Sequence, residues 1–202
     1  MTEPGAISAE MVKRLRDITG AGMMDCKKAL QESGGDLDKA QEILRLKGLA
    51  GVERRAGRQA SEGVIEAYIH GEGRVGVLVE VNCETDFVAR TPDFRELAHE
   101  IALQVAAFPP RWITREEVPD DVVAAERKIY EEQAATAGKP ENVRERIALG
   151  KLESFYKDTV LLEQAYIRDG SKTVRDLIQE VASKVGENVV VRRFTRFELG
   201  KD

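Results

Sequence analysis

Gly71-Glu72-Gly73-Arg74-Val75-Gly76 has the G-x-G-x-x-G spacing of a dinucleotide-binding turn. That chemistry needs a helix opening at the glycines, so that its amide dipoles meet a pyrophosphate. Here Val77, Leu78, Val79 and Val81 continue as a β-type run, so the glycines are read as a hairpin turn. No stretch carries G-x-x-x-x-G-K-[ST], and the chain is expected to have no nucleotide site of its own. There is no G-x-S-x-G elbow, and neither His70 nor His99 has a motif-based nucleophile partner. Both histidines are read as surface or hydrogen-bonded side chains. Cys26 and Cys83 lie far apart without C-x-x-C spacing, so no zinc site is expected and both thiols are read as reduced and partly buried. Glu116 and Glu117 sit in a charged stretch and are read as a solvated face. No enzyme activity, metal or cofactor is expected.

Two stretches suit binding better than catalysis. Arg192, Arg193 and Arg196 interleave with Phe194 and Phe197, as in a nucleic-acid platform. Strand alternation, however, puts Arg193, Thr195 and Phe197 on one face and Arg192, Phe194 and Arg196 on the other, so no pure aromatic platform forms. The other is NCETDFVART (82–91), where Phe87 and Val88 are pinned between charged residues. Thr91 precedes a proline and Pro92 suits the first turn of the next helix, so Thr85 to Arg90 has room for about one turn. Phe87 there is either a plug over the end of the sheet or a contact for something outside the chain. Met23 and Met24, after Gly20-Ala21-Gly22, pose the same choice between core filler and adaptable binding surface.

The elements that must position these residues follow from periodicity. Residues 1–48 read as three short helices: Ser8 caps the first, with Met11, Val12, Leu15 and Ile18 on one face; the second runs from about Met23 to Ser33; Asp36 caps the third, which Gly48 closes. Residues 49–62, with Arg54, Arg55 and Arg58, read as a basic linker or exposed helix at a domain boundary. The period then changes to strands at 63–70 and 74–82, a helix from Pro92 to about Phe108, two long helices within 119–162 joined at Gly138-Lys139-Pro140, a helix capped by Thr173, and a strand at about 188–199. The 119–162 pair reads as a projecting helical hairpin. The fold class is therefore α+β: a three-helix module, then residues 63–202 as an antiparallel three-stranded sheet with helices on one face.

Composition excludes several classes. The 202-residue chain is 42% hydrophobic, enough for a real core, and 33% charged. Its 31 Lys and Arg against 36 Asp and Glu leave a net charge of −5, without the basic surplus of a general nucleic-acid binder. No apolar run approaches a membrane span, and the start, MTEPGAISAEMVKRL, has no basic segment followed by an apolar core. A cytoplasmic location is expected, with no membrane and no direct nucleic-acid partner.

TGAGMMDCKKAL (19–30) and VEVNCETDFVAR (79–90), in this order around an Arg-bearing linker, closely resemble the two signatures of the bacterial elongation factor Ts family. Similarity extends through YIHGEGRVGVLV, GKPENVRERIALGKL and GENVVVRRFTRFELG. The resemblance implies a guanine-nucleotide exchange factor for the GTPase elongation factor Tu, with a ubiquitin-associated-like module, an α+β core and a helical hairpin. It implies that Thr85, Asp86, Phe87 and Val88 enter the GTPase beside its nucleotide and disturb Mg²⁺ binding. It carries further partner contacts onto Leu15, Met23, Met24, His70, Ala89 and Arg90, for which internal packing is the competing role. Relative to longer members the chain lacks a duplicated core, which implies that two chains pair as a homodimer. A passive adaptor that binds a GTPase without exchange is the alternative.

Overall fold

The computed structural model describes residues 7–201. Residues 1–6, at the start of the expected module, and Asp202, at the end of the expected core, lie outside the described residues.

Helices α1 (Ala9–Thr19), α2 (Met23–Glu32) and α3 (Leu37–Arg55) begin the described chain. Ser8 and Asp36 cap α1 and α3 by accepting from the amides of Met11 and Lys39. Leu15, Cys26, Ala29, Leu30 and Ala40 make a small dry core. Ile18, expected on the inner face of α1, is 53% exposed instead. Gly48 does not close α3, which runs on to Arg55. A Cβ at Gly48 would lie 2.5 Å from Ser183 Oγ. The glycine therefore lets α3 approach helix α8 (Val174–Val185).

Strands β1 (Glu62–His70) and β2 (Val75–Cys83) form the expected hairpin, antiparallel from Glu62↔Cys83 to His70↔Val75. Gly71, Glu72 and Gly73 turn through φ of 59°, 55° and 90°, so the glycine pattern is a tight turn. Strand β5 (Val190–Glu198) pairs with β2, giving the order β1-β2-β5. Val77, Val79 and Val81 alternate onto one face, against Phe94, Leu97, Ile101 and Val105 of helix α5 (Pro92–Ala107) and against α8. The opposite face carries Ile65, Ile69, Leu78 and Phe197 in the open, 67%, 65%, 47% and 71% exposed.

Helices α6 (Asp120–Thr136) and α7 (Glu141–Thr159) form the hairpin, turned at Gly138 with φ 70°. Trp112, Phe155, Tyr156 and Val160 pack its base. Further out, Ala134 and Ala148 are buried where the two helices approach closely. Helix α7 stops before the expected residue 162. The amides of Leu161 and Leu162 bond to Trp112 and Ile113 carbonyls, and these tertiary partners draw the chain out of the helix. A two-stranded ribbon, β3 (Ala165–Tyr166) with β4 (Asp169–Thr173), follows and was not foreseen from the sequence. Among the described residues no helix is long and apolar enough to cross a membrane.

Candidate partner interface

Between β2 and α5 the chain makes a single helical turn, α4 (Asp86–Ala89). Thr85 is its N-cap, extended at φ −129° and ψ 154°, and its hydroxyl oxygen accepts from the Val88 amide at 3.4 Å. Thr91 closes the turn: its hydroxyl donates to the Val88 carbonyl at 2.8 Å, and its oxygen accepts from the Phe94 amide at the start of α5. One threonine thus ends one helix and begins the next, with Pro92 supplying the fixed φ of a first helical position.

Helical spacing sorts the side chains of the turn. Ala89 is buried, and Val88 packs half-buried on the main core. Phe87 faces the other way and is 78% exposed. It is therefore not a plug over the sheet. Asp86 and Arg90, one turn apart, make an exposed ion pair at 2.8 Å beside it. Cys83 lies beneath, wholly buried, its thiol donating to the Thr85 carbonyl at 3.2 Å. Burial first, and the nearby Glu187 carboxylate second, push its pKa up to about 11.

Residues that the sequence did not single out hold this turn. Glu187 Oε2 accepts from the amides of Glu84 and Thr85, both at 3.0 Å, while its Oε1 accepts from the Thr85 hydroxyl at 2.6 Å. In return Glu84 accepts from the Asn188 amide at 2.7 Å. That hydrogen bond, followed by those from Arg58, holds the Glu84 carboxyl below its ordinary range. The only signal in the sequence was a Glu-Asn pair after the helix-ending Gly186, which reads as an ordinary loop.

The other candidates divide by place. Met23 and Met24, after the Gly20 turn, are 48% and 60% exposed. A Cβ at Gly20 would lie 3.5 Å from Lys184 Cε, and Lys184 Nζ pairs at 2.6 Å with Asp93 in the first turn of α5. Lys184 thus runs past the Gly20 turn to the start of α5. Leu15 is fully buried in the three-helix core, and its side chain offers no surface. His70 is exposed at the other end of β1, about 26 Å from the Cys83 end at roughly 3.3 Å per residue. Its Nδ1 lies 3.1 Å from the Tyr68 hydroxyl. His99 pairs with Glu66 at 3.0 Å. Two surface depressions, of about 480 Å³ beside Ile129 and about 360 Å³ beside Trp112, share no residue with the turn.

The described chain is thus an α+β protein with N-terminal helices, a helical hairpin and an exposed aromatic, Phe87, on a turn capped by Thr85. The family model for elongation factor TS matches residues 40–201. Elongation factor Ts of Coprothermobacter proteolyticus is 60% identical over 195 residues, covering 96% of this chain and 99% of that one. Those of Caldanaerobacter subterraneus subsp. tengcongensis and Thermoanaerobacter sp. strain X514 are 59% and 58% identical, over 96% of this chain and 98% and 96% of theirs. The chain belongs to the elongation factor Ts family, which places it in translation elongation.

Proposed function

We propose that the protein is a guanine-nucleotide exchange factor that binds elongation factor Tu in its GDP form and speeds GDP release. The observation that carries this reading is Phe87, 78% exposed on a turn capped at both ends. Exposing a large aromatic on so firm a mount costs solubility without serving the chain's own core, and a pocket in a partner supplies the missing burial. Thr85, Asp86, Phe87 and Val88 enter beside the bound nucleotide. Mg²⁺ there bridges protein ligands and phosphates in an octahedral geometry that tolerates little displacement, so moving its surroundings weakens GDP without competing for the base. A thousandfold weakening needs about 4 kcal/mol, and burying one Phe contributes about 1.5–3 kcal/mol. The wedge therefore acts together with metal loss and a wider interface. Met23, Met24 and Arg90 extend that interface, Leu15 and Ala89 support it from beneath, and His70 makes a separate contact. Reciprocity requires that nucleotide weaken the factor's grip equally, so GTP loading releases it.

In this reading residues 1–48 dock on the GTPase domain and residues 63–202 carry the wedge. Two chains pair through the open face of the sheet, where Ile65, Ile69, Leu78 and Phe197 form an apolar patch of the kind monomers rarely leave in water. Leu78→Lys should then shift the sedimentation of the protein from dimer to monomer; unchanged sedimentation at the dimer position would move the interface elsewhere.

The exchange reading is tested by release of a fluorescent GDP analogue from elongation factor Tu. Acceleration by catalytic amounts of the protein is expected. Binding without acceleration would leave a passive adaptor.

A further inference from the structure

We propose that Glu187 is the positioning residue for exchange, holding the Phe87 turn in its inserting conformation before the partner arrives; this rests on the exchange reading above. A four-residue helix cannot sustain itself, because its nucleus fixes several backbone dihedrals for almost no internal hydrogen bonds. Phe87, 78% exposed, contributes little packing to that cost. Ala89 and Val88 anchor the turn on the core and Thr91 closes its end, while its N-terminal end is held by Glu187 from 102 residues further along the chain.

Its two carboxylate oxygens do different work. Oε2 gathers the amides of Glu84 and Thr85, which fixes where the chain leaves β2. Oε1 takes the Thr85 hydroxyl hydrogen at 2.6 Å, so that the lone pairs on the threonine oxygen are left to accept from the Val88 amide. The N-cap thus has its donor and acceptor roles assigned by Glu187. Glu187 itself sits where its backbone is fixed. Gly186 ends α8 at φ 76°, its amide bonded to Ala182, and Asn188 is buried. The Asn188 side chain donates to the carbonyls of Arg58 at 2.8 Å and Ala56 at 3.4 Å, tying this corner to the chain leaving α3. Glu84 closes the exchange by accepting from the Asn188 amide and pairing with Arg58 at 3.4 Å. The corner braces the base of the wedge from β2, α8 and α3 together.

Without this brace the turn samples other conformers, and the ordering must be supplied on docking. The test is a double-mutant cycle on catalysed GDP-analogue release, using the full chain with and without Glu187→Ala and Phe87→Ala. Glu187→Ala should slow release ~10-fold or more with Phe87 present and less than ~3-fold with it absent, because both changes remove one unit. Glu187→Gln can still accept both amides through its carbonyl, but its amide nitrogen can only donate to the Thr85 oxygen and leaves the Thr85 hydroxyl without its acceptor, so it should recover only part of the rate. Amide exchange at Glu84 and Thr85 should rise in Glu187→Ala while that of β2 and α5 stays slow. Equal fold losses in both Phe87 backgrounds, or no loss at all, would overturn the positioning role. Should Glu187→Ala not fold, Glu187→Asp takes its place in the cycle: one methylene shorter, it cannot span both the amides and the hydroxyl. The same two coupling outcomes then decide. Failure of the unsubstituted protein to accelerate release would instead sink the exchange reading itself.

Discussion

Replacing Phe87 by alanine should leave the free protein as stable as before and cripple its effect on the partner. A Phe side chain offers ~150–250 Å² for burial. With 78% of it exposed, most of the ~1.5–3 kcal/mol that full burial of a Phe contributes is left for a partner to supply. Alanine keeps its Cβ and part of that area, so the loss is ~1–2 kcal/mol, or ~5–30-fold. Stopped-flow release of a fluorescent GDP analogue, titrated with the protein, reads that factor in the ratio of maximal rate to half-saturating concentration. Urea unfolding reads the other half, where the variant should lie within about 0.5 kcal/mol of the parent, as surface changes do. A variant that exchanges normally would show that the wedge is not Phe87. A variant that loses several kcal/mol of stability would show that Phe87 serves the chain's own fold.

Other consequences follow from the parts that support the wedge. Gly63→Ala should cost at least ~3 kcal/mol in denaturant unfolding, because at φ 151° its Cβ would sit 2.1 Å from the Val81 carbonyl oxygen and 2.8 Å from Asn82 Cα, both backbone. Glu100 is buried and accepts from Arg168 Nε and the Tyr166 hydroxyl, both at 2.6 Å, and the Arg168 bond above all holds its carboxyl below the ordinary range. A depressed folded pKa stabilises above the unfolded value near 4.3 and is lost as pH falls through the folded one. Glu100→Gln should therefore cost ~1–2 kcal/mol at pH 7, with the difference shrinking in unfolding curves taken below about pH 4. Cys83, buried and titrating at about 11, should resist a thiol reagent at pH 8 in the native protein and react fully in denaturant; rapid labelling of native Cys83 would contradict its burial.

Much of this was legible before any coordinate. Thr85, Thr91 and Pro92 mark the ends of one turn and the start of the next helix because capping is local chemistry, settled within three or four residues. The hairpin from β1 to β2 was equally plain: two alternating runs flank glycines that tolerate positive φ, and no helix follows to make a phosphate site. The same local reasoning misread Gly48, since a glycine that ends a helix and one that admits a neighbouring helix look alike in sequence. It also could not divide Phe87 from Val88 and Ala89, all apolar and adjacent.

Apart from the β3-β4 ribbon, the sequence by itself determined the kinds of element, their order and the single turn at 85–90, because those depend on propensity, capping and period. Only the tertiary structure decided which side of that turn meets the core, leaving Phe87 out and Ala89 in. It alone brought Glu187 to Thr85 across 102 residues, and it alone left one face of the β1-β2-β5 sheet uncovered. These are long-range pairings, set by how helices and strands stack to remove apolar area from water, and no short window of residues contains them.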